Sequence, residues 1–211
     1  STPKPSSAAS DVYKRQEWNG RVWHHKQTFA RLLHGPIQAE LAATAIRLGK
    51  LTGTRNSTSS KTQVTEVAAR ISAMLNTQSL PASLAQVMSD LNETWEGICD
   101  IHYAAEGGIQ SAFEIDPLAE EVVVEIVREV CSNAIRHGDA NRVELSVARS
   151  GPNLIALEIS NNGRWSAADA SRTNRGMGSL YIEECTLSSK LFYKDGLVRF
   201  SAMVPLREGG N

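Results

Sequence analysis

The sequence has few cysteines and few aromatic residues, and it lacks both a long apolar run and an excess of one charge. Its 211 residues include 3 cysteines and 6% aromatic residues. The cysteines lie far apart, at Cys99, Cys131 and Cys185, which predicts neither a disulfide framework nor a zinc site. No run of 18 apolar residues occurs, so we expect no membrane contact from this chain. A net charge of -1 argues against nucleic acid as a partner.

What remains is ordinary for a globular protein, with 41% hydrophobic and 21% charged residues. The length suits one large domain or two small ones. Residues 1–16 are rich in Ser, Ala, Lys and Pro without periodicity, and we interpret them as disordered or as a scar of cloning or sequencing. The natural segment before residue 17 would then be missing. We expect a cytoplasmic chain, with room in such a missing region for an input domain or a membrane anchor.

Helical periodicity dominates residues 21–95. Apolar residues recur three or four apart, which predicts helices over 21–50 and 64–78, and a third one that begins after Ser83 as its N-cap. Two long helices joined by a loop form an αα-hairpin, and one hairpin leaves apolar surface uncovered. We therefore expect pairing with a second copy into a four-helix bundle. The stripe of the first helix consists of Phe29, Leu33, Ile37, Leu41, Ala45 and Leu48.

Beyond residue 97 the hydrophobic period changes, and we place a boundary between Trp95 and Ile98. A helix is predicted over 117–136, with Pro117 at its first position, and a short helix from Gly178. This mixture of strands and helices predicts one sheet covered by helices on one face. The strands are expected at 98–103, 142–149, 154–160, 190–193 and 197–204.

The predicted helix 117–136 carries a column of polar residues. Glu129 and Asn133 lie one turn apart on it, and His137 follows a turn later. A carboxylate orders a water or accepts a proton, and an asparagine carbonyl is an oxygen ligand suited to Mg²⁺. Any surface helix can show such a column, so alone it indicates a solvated face.

Two glycine turns follow the column. The strand at 154–160 runs into Asn161-Asn162-Gly163, and further along Gly176-Met177-Gly178 opens a helix. Glycines let backbone N–H groups approach a phosphate, and a helix N-terminus favours negative charge. Each turn alone is weak evidence for a phosphate-binding site. The ordered set of polar column, strand end and glycine pair is much more specific evidence for one.

The stretch 128–137, Arg-Glu-Val-Cys-Ser-Asn-Ala-Ile-Arg-His, resembles the N-box of the ATPase domain shared by histidine kinases, gyrase-type topoisomerases and MutL-type repair proteins. The two glycine turns fall where that family's glycine boxes lie. The resemblance covers about residues 98–206 and implies a Bergerat-type α/β sandwich that binds ATP and Mg²⁺. It implies Asn133 as the Mg²⁺ ligand and Glu129 near the reacting phosphate. The cofactor site would be completed by His137, Asn161, Gly163, Gly176 and Gly178.

Two positions depart from that family's pattern. Asn161 stands where the family has an aspartate that accepts a hydrogen bond from the adenine amino group. Asparagine accepts through its carbonyl oxygen, but without charge assistance the bond is weaker. Trp165 stands where a second glycine is common, so we expect weakened ATP binding.

His34 lies on the first predicted helix, one turn before Gln38. A neutral imidazole is a good phosphoryl acceptor, and an amide one turn away can orient a water for dephosphorylation. Pro36 removes a helical hydrogen bond at a cost of about 3 kcal/mol or more, which predicts a kink. A surface histidine, or a helix that ends at His34-Gly35-Pro36, explains the string as well.

A histidine-bearing hairpin directly before this ATPase domain is similar to the dimerisation and phospho-acceptor domain of histidine kinases. The string is similar to a variant group without the acidic residue after the histidine, where this chain has Gly35. The fold implied is α+β, with an αα-hairpin over 17–97 in a dimeric four-helix bundle, followed by an ATP-binding domain over 98–211. The resemblance implies a homodimer that phosphorylates His34 from ATP, with Gln38 assisting, and transfers phosphate to the receiver domain of a response regulator.

Two other functions stay open on the sequence. One is a phosphotransfer or docking module with a degenerate ATPase domain, favoured by Gly35, Asn161 and Trp165 and opposed by Glu129 and Asn133. The other is a serine/threonine kinase of the anti-sigma-factor type, which uses the same ATPase domain. The predicted hairpin counts against the latter, because that type lacks it.

Overall fold

A computed structural model describes residues 34–51, 68–69, 82–165 and 182–206. Residues 182–185 are also helical. The helices are α1 (His34–Leu51), α2 (Leu84–Thr94), α3 (Ile109–Ile115) and α4 (Pro117–Arg136). The strands are β1 (Asp100–Ala105), β2 (Arg142–Arg149), β3 (Leu154–Asn161), β4 (Ser188–Lys194) and β5 (Leu197–Pro205).

The five strands form one mixed sheet in the order β1-β2-β3-β5-β4. Strands β1 and β2 pair in parallel, and the other pairs are antiparallel. Along β3, Ile155, Leu157 and Ile159 are buried, whereas Glu158 between them is exposed. Because side chains alternate along a strand, the sheet has one apolar face and one polar face.

Helix α4 packs on the apolar face, in contact with β3 and β5. Asp116 caps its N-terminus by accepting a hydrogen bond from the backbone of Ala119, at 3.4 Å. Pro117 follows at the first position, where a missing N–H leaves no bond unmade. Val127 and Ile135 are among its buried residues, and this apolar side fixes how the helix is rotated about its axis.

Helices α1 and α2 pack against α4 and against each other. At the start of α2, the backbone N–H of Leu84 donates to a carboxylate oxygen of Glu120 on α4, at 2.8 Å. At its end, Nη2 of Arg47 on α1 donates to the carbonyl oxygens of Thr94 and Glu96, at 2.5 and 3.2 Å. Both ends of α2 are therefore tied to neighbouring helices.

The side of α1 that is buried differs from the predicted apolar stripe. Leu41 is 52% exposed and Ala45 is exposed. The buried side instead carries Ala39, Glu40, Ala43 and Thr44. Small side chains let helix backbones approach closely, whereas the periodicity of the sequence marks the larger apolar residues. Residues 21–33 of the predicted helix lie outside the described residues.

The structure confirms the α+β class, with a mixed five-stranded sheet and helices on one face. Strand β2 and helix α4 have the predicted bounds. Helix α3, after the turn at Gly107-Gly108, was not predicted. The predicted helix 64–78 lies outside the described residues except for 68–69, so the hairpin, the dimeric bundle and the domain boundary remain predictions. Among the described helices none is long and apolar enough to cross a membrane.

Candidate functional site

Two residues of the polar column are hydrogen-bonded to each other. Both Glu129 and Asn133 are half-buried on α4, and Nδ2 of Asn133 donates to Oε1 of Glu129 at 2.7 Å. An amide has its donor and its acceptor on opposite sides. Since Glu129 holds the nitrogen, Oδ1 of Asn133 is turned away from Glu129, and it is the atom suited to a cation.

The column extends further towards the start of α4 than the sequence reasoning recognised. Glu121 and Glu125 precede Glu129 at the same four-residue spacing, and Glu125 pairs with Arg128 at 3.1 Å. Burial raises the pKa of Glu125; Arg128 offsets part of that rise, and the carboxylates Glu121 and Glu129 add to it. A cation near Glu129 would relieve the repulsion between these carboxylates.

The end of α4 is closed by backbone bonds to Asn133. The backbone N–H groups of His137 and Gly138 both donate to its carbonyl oxygen, at 3.0 and 3.3 Å. A Cβ on Gly138 would lie 2.6 Å from the carbonyl oxygen of Ala134. Only glycine therefore fits at position 138. The sequence reasoning missed it, although a glycine just past a helix end is a familiar stop signal.

The turn after β3 meets the end of α4 through two glycines. The backbone N–H of Arg164 donates to the carbonyl oxygen of Gly138 at 2.6 Å, and that of Gly163 donates to Oδ1 of Asn161 at 3.0 Å. A Cβ on Gly163 would lie 2.9 Å from the Gly138 carbonyl oxygen and 2.8 Å from Oδ1 of Asn161. This close approach joins the polar column to Asn161 and Gly163.

The two asparagines of this turn have different surroundings. Asn162 is exposed; its Oδ1 accepts from the backbone N–H groups of Asn141 and Arg142, at 3.1 and 3.0 Å. It thereby ties the start of β2 to the end of β3, a role that the sequence reasoning did not assign. Asn161, by contrast, is only 6% exposed and lies on the apolar face of the sheet.

Trp165 occupies the position where the ATPase family commonly has glycine. Its ring stacks on that of Tyr193 in β4, with the centroids 6.5 Å apart and the planes 12° from parallel. The aromatic pair therefore borders the turn at Asn161–Gly163. Gly176 and Gly178 lie outside the described residues.

His34 is the first described residue of α1, but its side chain and those of residues 35–37 lie outside the description. The side chain of Gln38 is exposed. Helix α1 contacts α4, the helix that carries Glu129 and Asn133. His137, at the end of the column, is exposed, with its ring 3.5 Å from Arg136.

The composition of the site restricts its chemistry. Within the described ranges no cluster of three His, Cys, Asp or Glu residues exists to hold a metal alone. A cation at Asn133 would thus need further oxygens from a ligand. The three cysteines are buried and not in disulfides. Burial raises the pKa of Cys131 to about 12 and that of Cys99 to about 11, so these thiols stay protonated and are poor nucleophiles.

No protein-family model and no curated protein matches the sequence. Solved structures of histidine kinases are similar to it. The Erythrobacter litoralis EL346 blue-light activated histidine kinase is 15% identical with a TM-score of 0.49, over 83% of this chain and 59% of that one. The chain thus spans 59% of that protein's length.

Two further structures are similar in the same range. The Acinetobacter baumannii histidine kinase AdeS is 13% identical with a TM-score of 0.43, over 88% of this chain and 98% of that one. The ATP binding domain of PrrB from Mycobacterium tuberculosis is 18% identical with a TM-score of 0.42, over 59% of this chain and 92% of that one. At such low similarity, the assignment of a function rests on this chain's own residues.

Proposed function

We propose that this chain is the core of a two-component histidine kinase. It uses ATP and Mg²⁺ to phosphorylate His34 and transfers the phosphoryl group to an aspartate in the receiver domain of a response regulator. The amide of Asn133 carries the proposal. Its nitrogen is held by Glu129 at 2.7 Å, which turns its oxygen away from Glu129 as a candidate ligand. The helix that carries it ends at the turn where Arg164 bonds to Gly138.

The described residues fit a magnesium nucleotide. Oδ1 of Asn133 would hold the cation, and phosphate oxygens would supply the ligands that the described side chains lack. Glu129 would keep the amide oriented, near the reacting phosphate. The close backbone approach at Gly163 and the exposed His137 would border the nucleotide, and the backbone at Gly176 and Gly178 would face its phosphates. Magnesium nucleotide, when bound, supplies the phosphoryl group and neutralises its charge.

Helix α1 would deliver the acceptor. A ring nitrogen of neutral His34 accepts the phosphoryl group, and Gln38, exposed one turn later, orients a water for the reverse reaction. The described contacts of α1 with α4 support a histidine helix that docks on the ATPase domain. Leu41, on the predicted apolar stripe, is 52% exposed, which supports a second copy covering that stripe in a homodimer.

A phosphotransfer or docking module is the second proposal that specific observations favour. Trp165, where the family commonly has glycine, stacks on Tyr193. Asn161 stands where the family usually has an aspartate, and its Oδ1 accepts from the backbone N–H of Gly163. Such a module would pass phosphate through His34 without binding ATP.

Incubation with γ-labelled ATP and Mg²⁺ separates these functions. We expect acid-labile label on the wild type, none on His34→Ala, and a loss of roughly 100-fold on Asn133→Ala, because magnesium would lose its protein ligand. Asn92→Ala makes the same change at an exposed position of α2 and should label like the wild type.

Absence of label from wild-type protein would contradict the kinase and leave the relay module. Label that resists acid and survives His34→Ala would instead indicate the serine/threonine kinase.

A further inference from the structure

The polar face of the sheet carries a groove, on the side opposite to helix α4. Its volume of about 510 Å³ lies within the usual range for the binding sites of small molecules. All five strands contribute to its lining, which includes Glu144, Glu158, Ser160, Phe192 and Arg199. Since the proposed nucleotide site is built on α4, which covers the other face of the sheet, the groove is a separate feature of the molecule.

Arg199, on β5, brings an unsatisfied donor to this groove. Its Nε is buried and has no hydrogen-bond acceptor among the residues that the structure describes. Buried donors in proteins are satisfied almost without exception, by protein groups, water or a ligand. The edge of a guanidinium that carries Nε and one Nη matches the two oxygens of a carboxylate. Arg199 therefore offers a two-point contact to an anionic group in the groove.

Glu158 brings the opposite charge to the same groove, from the neighbouring strand β3. In the antiparallel register Glu158 faces Ser201 and Arg199 faces Ser160, and such diagonal positions have Cβ atoms roughly 7 Å apart. Within the described part of the chain, neither Glu158 nor Arg199 takes part in an ion pair. The groove thus presents a cation and an anion on adjacent strands, and both are available to a ligand.

The remaining lining gives the groove an apolar side. Phe192 on β4 is the register partner of Arg199 on the side away from Ser160, and it is half-buried. Nζ of Lys190 lies 5.3 Å from the centroid of the Phe192 ring, which adds a second positive charge at this end. An anionic group is thus favoured towards β4 and β5, a cationic group towards Glu158, and an apolar group beside Phe192.

We propose that this groove binds an α-amino acid with an aromatic side chain. The carboxylate of the ligand accepts from Nε and Nη of Arg199, its ammonium group donates to the carboxylate of Glu158, and its ring lies beside Phe192. Both charged groups of an α-amino acid are bonded to one carbon, which suits partners on neighbouring strands. A ligand with a single charge is attracted by one of the two residues and repelled by the other.

Calorimetric titration of the wild-type chain with L-phenylalanine tests the proposal against two analogues. 3-Phenylpropionate lacks the ammonium group, and phenethylamine lacks the carboxylate. We expect saturable binding of L-phenylalanine, at least about ten-fold tighter than that of either analogue, the scale of one hydrogen bond between charged groups. The titration needs neither ATP nor Mg²⁺, so its outcome is independent of the proposed kinase.

Charge-removing variants assign the two contacts. Glu158→Gln should weaken L-phenylalanine by about ten-fold and bind 3-phenylpropionate more tightly than the wild type does, because a repulsion is removed. Arg199→Gln should weaken both carboxylates and spare phenethylamine. Glu144→Gln is the matched control: it makes the same change in the same groove, but Glu144 is already bonded to Arg142, at 2.6 Å, so the wild-type affinities should be kept.

Two results with the wild type alone would overturn the proposal. One is the absence of saturable L-phenylalanine binding, and the other is binding of 3-phenylpropionate or phenethylamine as tight as that of L-phenylalanine. These comparisons need no variant, so a variant that fails to fold does not affect them. Folded Glu158→Gln protein with the wild-type affinities would show that Glu158 does not hold the ammonium group.

Discussion

The turn after β3 and helix α1 are attached to the rest of the molecule in different ways. At the turn, backbone meets backbone: Arg164 donates to the Gly138 carbonyl at 2.6 Å, and no room remains for a Cβ on Gly163. At α1, the Arg47 side chain reaches carbonyls at the end of α2, at 2.5 to 3.4 Å. The turn is held by close backbone contact, whereas α1 is held by packing of its buried side, which includes Ala39 and Ala43, and by one long side chain. The proposed nucleotide site needs a fixed backbone, and the proposed phospho-acceptor helix has to move towards its substrate.

The largest effect is expected from Gly163→Ala. Its Cβ would meet the Gly138 carbonyl oxygen at 2.9 Å, and neither backbone can yield without breaking the bonds around it. We expect unfolding free energy to fall by about 1–3 kcal/mol, the range for overpacking, together with a loss of nucleotide affinity. Urea denaturation and calorimetry measure the two. An unchanged urea midpoint would show that the backbone contact between Gly163 and Gly138 tolerates an extra methyl group. The turn would then not be more tightly packed than α1.

A smaller effect is expected from Arg47→Ala. After the change only water can donate to the carbonyl oxygens of Thr94 and Glu96, and we expect the free energy of unfolding to fall by roughly 1–2 kcal/mol. Hydrogen exchange should increase in α1 and α2 while the amides of β3 and the turn stay protected. Arg47→Lys keeps the charge but has a single donor group, so its free energy of unfolding should lie between those of the wild type and Arg47→Ala. Equal deprotection of β3 would mean that α1 and the sheet unfold as one unit, against the comparison drawn above.

The smallest effect, of opposite sign, is expected from Gly49→Ala. Within the described part of the chain nothing lies within 4 Å of a Cβ at this helical position, so alanine gains helix propensity without a clash. We expect a stabilisation of roughly 0.5 kcal/mol, seen as a higher urea midpoint with unchanged nucleotide affinity. This variant is the matched control for Gly163→Ala. A loss of stability would indicate that α1 packs as tightly there as the turn does.

Much of the fold could be predicted because local signals decided it. Asp116-Pro117 fixes the start of α4, the alternation along β2 marks a half-buried strand, and the apolar run that opens β3 marks a buried one. Helix α3 was missed, since its seven residues are too few for a helical period to show. The buried side of α1 was misassigned because it carries the small residues Ala39 and Ala43. Small residues allow close helix packing, and a pattern of large apolar residues does not reveal them.

The site was predictable to the same extent. The four-residue spacing of Glu129 and Asn133 put them on one face, and the structure adds the bond that orients the amide. The contact between Gly138 and Gly163 was not predictable, because it joins segments that only the folded chain brings together. Nor could sequence show which way the Asn161 amide points, since that follows from the backbone of Gly163.

The most direct test of the account is whether nucleotide binding depends on Mg²⁺ through Asn133. Calorimetry with ATP, with Mg²⁺ or with a chelator, is compared for wild type and Asn133→Ala. We predict that removal of Mg²⁺ weakens wild-type binding by at least about ten-fold and leaves Asn133→Ala, already weakened, nearly unchanged. Wild-type binding that ignores both Mg²⁺ and Asn133→Ala, or no binding at all, would contradict the proposed site.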